Sequence, residues 1–142
     1  MKVFCSYAFT GEDKAVLGKR LSILRDFFEQ QGIAYYMNIF APHYEKLVGQ
    51  NAAAGDYVRA AIEAMKSCDT VLVLQASERR SEGVLIEIGA ALAAGKKIVL
   101  AQHESSVGQT YLPTVANTTF VWRDDSELLQ QVREYFGGTI KD

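Results

Sequence analysis

The sequence predicts an α/β protein built on a five-stranded, mainly parallel sheet, and three observations carry that prediction. Five short runs rich in branched and aromatic residues alternate with four stretches of helical period. The run at residues 70–74 (TVLVL) is almost continuously apolar, as expected of an interior strand covered on both faces. The intervening helical stretches are long enough to return the chain to a parallel neighbour, which gives a doubly wound, flavodoxin- or Rossmann-like architecture.

Each element follows from its residues. Residues 2–7 (KVFCSY) form the first strand, followed by the turn residues Thr10, Gly11, Glu12 and Asp13. Residues 15–31 place Leu17, Leu21, Leu24, Phe27 and Phe28 at helical spacing and end at Gly32, a C-cap. Residues 33–40 (IAYYMNIF) have the composition strands favour. Residues 41–55 contain Pro42, two glycines and three successive alanines without a period, and read as a long loop of the kind that covers or binds ligands. Asp56 then caps a helix reaching residue 66, with Val58, Ile62 and Met65 inward. After the third strand, residues 81–94 form a helix closed by Gly95, and residues 97–101 (KIVLA) the fourth strand. A polar, irregular segment at 103–117 leads to a short strand at 119–122 and a terminal helix at 126–135, with Leu128, Leu129 and Val132 inward.

Composition narrows the function. A chain of 142 residues, 49% hydrophobic and 23% charged, fits one domain over residues 1–142 with its own core. A net charge of -2 excludes a general polyanion binder, so no nucleic-acid partner is expected and any phosphate is held locally. Cys5, Cys68, His43 and His103 show no ligand spacing such as CxxC or HxxxH, so neither a metal nor a cofactor is expected. Met1-Lys2-Val3 opens without a secretory pattern, and no apolar run reaches the roughly 18 residues of a membrane span. A cytoplasmic protein with no membrane partner is the expectation.

The chemistry gathers at residues 81–100 (SEGVLIEIGAALAAGKKIVL), where Glu87 stands among Val84, Leu85, Ile86, Ile88, Ala90, Ala91 and Leu92. A helix apolar on nearly every side reads as buried. A buried carboxylate must find a donor, face a polar cavity or titrate upward, and such groups mark catalytic sites. Capping is the alternative use of an acidic residue near a helix start. Ser81 and Gly83 place a hydroxyl and an approachable backbone at the start of the helix, where N–H groups attract anions. A phosphorylated substrate is therefore expected, with Ser6, Tyr7, Thr10 and Gly11 brought in from the loop after the first strand. Neither GxGxxG nor GxxxxGK[ST] is present, so dinucleotide and P-loop readings lack their fingerprints.

VFCSYAFTGED at residues 3–13 and SEGVLIEIGAALAAGKKIVL at residues 81–100 resemble the nucleoside 2-deoxyribosyltransferase superfamily, closest in pattern to the 2'-deoxynucleoside 5'-phosphate N-hydrolases. The resemblance implies an N-glycosidase acting on a (deoxy)nucleoside 5'-monophosphate, with Glu87 as nucleophile, or a deoxyribosyltransferase. It implies phosphate binding by Ser81, where the transferases place an aspartate, and by Gly83, Ser6, Thr10 and Gly11. It also implies a homodimer with sites completed across the interface. Two positions depart from the pattern: Val3 stands at the family's tyrosine and Ala61 at its catalytic aspartate. Tyr7 is the substitute expected to orient Glu87, and Glu63 the partner acid or base. Asn117 and Thr114 contact the substrate in this site or in a neighbouring subunit's, or are surface residues, and Tyr35, Tyr36 and Phe40 either stack on a base or pack the core. The same segments also resemble TIR domains, which implies a NAD hydrolase as the second reading. A catalytically silent nucleotide-binding module is the third.

Overall fold

The computed structural model describes residues 1–137. Five parallel strands, β1 (Lys2–Tyr7), β2 (Ala34–Tyr36), β3 (Thr70–Gln75), β4 (Lys97–His103) and β5 (Thr118–Trp122), lie in the order β2-β1-β3-β4-β5. The expected doubly wound α/β sheet is present, with every neighbouring pair parallel. The strand order reverses between β1 and β3, and ligands of such sheets bind beyond the carboxyl ends of the strands at that point.

The side-chain alternation of the strands sends Val3 and Cys5 to one face and Phe4 to the other. The first face is covered by α1 (Lys14–Gln31) and α6 (Asp125–Gly137), which bury Leu21, Leu24, Phe28, Leu128, Val132 and Phe136. Each such side chain contributes about 1.5–3 kcal/mol of transfer free energy. Asp13 starts α1 by accepting the Ala15 and Val16 N–H groups at 2.9 and 3.1 Å, and Gly32, at φ +69°, ends it. The second face is covered by α3 (Ala54–Met65) and α4 (Glu82–Ala93), whose Ala61, Met65, Ile88 and Ala91 pack on Phe4, Val71, Val73, Ile98 and Leu100.

Three local expectations are corrected. Residues 41–55 are not a continuous loop but hold α2 (Pro42–Gly49), begun by a proline whose missing N–H costs nothing in a first turn. Asp56 is the third residue of α3 rather than its cap, and its Oδ2 accepts the Ala53 N–H at 3.1 Å from inside the helix. α4 is not buried all round. Ile88 and Ala91 face the sheet, while Leu85, Ile86 and Leu92 are 44%, 48% and 51% exposed. Only one side of the helix meets the sheet; the apolar residues on the other side have no layer above them. The polar stretch at 103–117 adds a short helix, α5 (Leu112–Val115). Among the described residues, no helix is long and apolar enough to cross a membrane.

Candidate active site

Ser6 is the penultimate residue of β1, on the face that α4 crosses. It is wholly buried, and its Oγ donates to Glu87 Oε1 at 2.6 Å. Burial strips water from the Glu87 carboxylate and pushes its pKa up to about 7; the Ser6 hydrogen bond opposes this with a smaller effect. A carboxyl poised near neutrality can be present as anion or acid at working pH, as nucleophiles and proton carriers require.

A second cluster lies on the same face of the sheet, at the end of β2. Tyr36 is the last residue of that strand and pairs in register with Phe4, on which its ring stacks at 5.2 Å and 14°. It therefore shares a sheet face with Ser6 and Glu87. Its hydroxyl donates to Asn38 Oδ1 at 2.9 Å and lies 2.9 Å from His43 Nε2 in α2. Burial, and then the charge of Glu87, push the Tyr36 phenol up to about 12. The sequence reading gave Asn38 and His43 no role. The signal that finds them is positional: the carboxyl end of β2 lies beside that of β1, at the binding edge of the sheet.

Tyr7 is not where it was expected. Strand alternation turns it to the opposite face from Ser6, and its hydroxyl accepts the Ile39 N–H at 3.1 Å. Burial holds its phenol well above the usual tyrosine range. The two neighbours exchange their anticipated uses: Ser6, expected at the phosphate, grips Glu87, and Tyr7 fastens the segment after β2.

Ser81 caps α4, its Oγ accepting the Val84 N–H at 3.2 Å, which leaves the hydroxyl proton available to a ligand. A Cβ at Gly83 would meet Ser81 Oγ at 3.9 Å, an ordinary contact, so the backbone there is open to approach. A cavity of about 420 Å³ lies over this helix end, between Ala8, Gln75, Arg79, Arg80, Ser81 and Tyr111. Its walls include Val84 but, among the described residues, not Glu87. Glu87 lies six residues beyond Ser81, about 9 Å along the axis at about 1.5 Å per residue. The cavity thus opens onto the N-terminal end of α4, and the carboxylate lies further along the helix.

The loops after β1 and β3 converge as expected. Arg79 Nη1 donates to the Gly11 carbonyl at 2.6 Å, and Gly11 has φ +80°. The positive φ favours glycine here, and a Cβ on Gly11 would displace the Arg79 guanidinium that lies against it. Thr10 is exposed in the same turn.

Two expected residues are elsewhere. Glu63 lies on the outer side of α3, 73% exposed and paired with Lys66 at 2.7 Å. The inward position is Ala61, packed among Phe4, Tyr36 and Ile88, and a residue two positions away on a helix cannot share its face. Asn117 accepts the Ile98 N–H at 2.8 Å. Ile98 is the second residue of β4, so Asn117 stands at the amino edge of the sheet, opposite the site. Thr114 donates to the Tyr111 carbonyl at 2.6 Å, Tyr35 donates to Glu29 at 2.6 Å, and Phe40 lies under Arg25.

Comparison with known proteins identifies the family. The family model for nucleoside 2-deoxyribosyltransferase matches residues 4–132. Among solved structures, the chain is similar to the CMP N-glycosidase BcmB of Clostridium botulinum, at 28% identity and a TM-score of 0.66, covering 96% of this chain and 100% of that one. It is also similar in fold to a conserved protein of Enterococcus faecalis V583, at 17% identity and a TM-score of 0.58, covering 96% and 99% of the two chains. A search of curated proteins returned no match. Glu87 and Ser81 both lie within the matched span, and the chain belongs to the nucleoside 2-deoxyribosyltransferase family, as an enzyme of N-glycosyl bond cleavage or deoxyribosyl transfer.

Proposed function

We propose that this enzyme cleaves the base–sugar bond of a nucleoside 5'-monophosphate, with Glu87 as nucleophile. The observation that carries the reading is the Ser6–Glu87 hydrogen bond of 2.6 Å around a carboxyl pushed up to about 7. It supplies an oriented, partly desolvated oxygen about 1.7 turns below an open helix N-terminus. In the first half-reaction a Glu87 oxygen bonds to C1' as the C1'–N bond breaks, and its electron pair leaves with the base. Water then attacks C1' of the glycosyl ester and restores the carboxylate, dividing one difficult displacement into two easier ones.

The 5'-phosphate is assigned to Ser81, the backbone at Gly83 and the N-terminus of α4, where N–H groups and the helix dipole favour an anion. Thr10 and Gly11 are assigned a supporting part from the loop after β1, whose Gly11 carbonyl accepts from Arg79 at the cavity wall. Similarity to a CMP N-glycosidase supports a monophosphate over a free nucleoside. Transfer of the deoxyribosyl group to a second base uses the same ester with a different acceptor. The exposed Leu85, Ile86 and Leu92 of α4 suit a homodimer, and the protein is assigned to the cytoplasm.

The test is incubation with a panel of ribo- and deoxyribonucleoside monophosphates, free nucleosides and NAD, followed by chromatography for released base. Release of a free base and a sugar phosphate from at least one monophosphate is expected, abolished by Glu87→Gln. Release of nicotinamide from NAD alone, or unchanged turnover in Glu87→Gln, overturns the assignment.

A further inference from the structure

A glycosidic nitrogen leaves poorly as an anion, so the first half-reaction needs a proton at the base. The carboxylates of α3 do not supply it: Glu63 is paired with Lys66 on the outer side of the helix, and Asp56 is held by the Ala53 N–H and Arg59. Ala61, at the inward position of that helix, carries no proton.

We propose that Tyr36 is the acid that protonates the departing base, with Asn38 and His43 as the residues that position its hydroxyl; the inference rests on Glu87 being the nucleophile. Tyr36 shares the sheet face of Ser6 and Glu87 through its stacking on Phe4. Its one proton points to Asn38 Oδ1 at 2.9 Å. Since an amide oxygen only accepts, the 2.9 Å contact to His43 Nε2 has the imidazole N–H donating to the phenolic oxygen. The oxygen is therefore already held by the donor that a phenolate needs, while its proton turns from Asn38 to the base.

The step balances without a titrating histidine. Glu87 begins as carboxylate and Tyr36 as phenol. When the C1'–N bond breaks, its electron pair goes to the base, the Tyr36 proton joins it, the glycosyl ester is neutral and Tyr36 is a phenolate hydrogen-bonded by His43. In the second half-reaction water adds to C1', the ester bond breaks towards Glu87, and the water proton returns to Tyr36. Burial keeps the phenol protonated at neutral pH, and the Glu87 charge that adds to this disappears as the ester forms. The acid is thus loaded at the start and becomes stronger as the bond breaks.

The experiment compares two substrates that the wild-type enzyme turns over: a nucleoside monophosphate and its ring-N-methylated, cationic analogue, whose base departs neutral with no added proton. Tyr36→Phe is expected to lower kcat on the parent about 100-fold or more, within the range of general acid catalysis, and to change kcat on the analogue by less than about 3-fold. His43→Ala should show the same selective loss to a smaller degree, and His43→Gln, which restores an N–H donor, should recover part of it. This pair decides the matter if Tyr36→Phe does not fold. Equal loss on both substrates, or none on the parent, overturns the assignment of Tyr36. Glu87→Gln should abolish turnover of both substrates; survival of either removes the nucleophile and is read separately from the Tyr36 result.

Discussion

Glu87→Gln should make the protein more stable at alkaline pH while removing its activity. The carboxyl is displaced from its ordinary 4.5 to about 7, chiefly because burial penalises its charged form. The folded chain thus binds this proton more tightly than the unfolded chain does. Stability associated with the protonated acid is fully present below about pH 4.5 and is lost as pH rises through about 7. At about 1.4 kcal/mol for each tenfold change in proton affinity, ionisation costs the fold at most about 3 kcal/mol. Partial solvent contact reduces this to about 2 kcal/mol, or about 6 °C in Tm for a chain of this size. Glutamine keeps a carbonyl oxygen for the Ser6 hydroxyl and carries no charge to desolvate. Thermal unfolding of both proteins at pH 5 and pH 8 measures the difference, which should be small at pH 5 and about 2 kcal/mol in favour of Glu87→Gln at pH 8. A gap independent of pH, or a variant less stable at pH 8, refutes the claim that the folded site strains this carboxylate.

Two further substitutions separate binding from architecture. Ser81→Asp retains an oxygen to cap the Val84 N–H but sets a negative charge against a dianion, at about 4 kcal/mol per charge pair at 4 Å near a protein surface. KM for the monophosphate should rise at least about 100-fold while that for the free nucleoside stays level, and an unchanged monophosphate KM in steady-state assays refutes the phosphate assignment. Asn117→Ala deprives the buried Ile98 N–H of its side-chain acceptor, so urea unfolding should register a loss of about 1–3 kcal/mol with kcat/KM unchanged; a selective loss of activity would return Asn117 to the site.

How much of this is legible in the sequence depends on the range of the interaction. Strand β1, the C-terminal end of α1 and the core of β3 follow from short-range rules: apolar runs of strand length and a closing glycine, Gly32, found at φ +69°. Glu87 stands out because a lone carboxylate among apolar residues has few inexpensive fates. α2 is hidden because eight residues give barely two turns of period, and Gly49 and the alanines after it resemble a loop. Asn117 is misread because a polar residue between elements looks the same whether it binds a ligand or, as here, ties β5 to Ile98. His43 is silent because its partner Tyr36 lies seven residues away across a turn that only the folded β2 edge defines.

The exchange between Ser6 and Tyr7 shows why the edge of a parallel sheet suits this chemistry. Adjacent strand residues point to opposite faces, so consecutive positions serve different layers while sharing one backbone anchor. Ser6, beneath α4, is wholly buried and gives Glu87 a short hydrogen bond at 2.6 Å. Tyr7, on the α1 side, holds Ile39 N–H at 3.1 Å and so fixes the turn that carries Asn38 to the Tyr36 hydroxyl. Orientation of the Glu87 carboxyl and placement of the second cluster both descend from the last two residues of β1. A change that slips β1 by one residue against β3 would turn Tyr7 to the α4 face and remove the only side-chain donor Glu87 has among the described residues. The pairing of Ser6 with Val73 and of Tyr7 with Leu74, both hydrophobic and buried, makes that slip costly, so the packing that specifies the sheet register also specifies the geometry around Glu87.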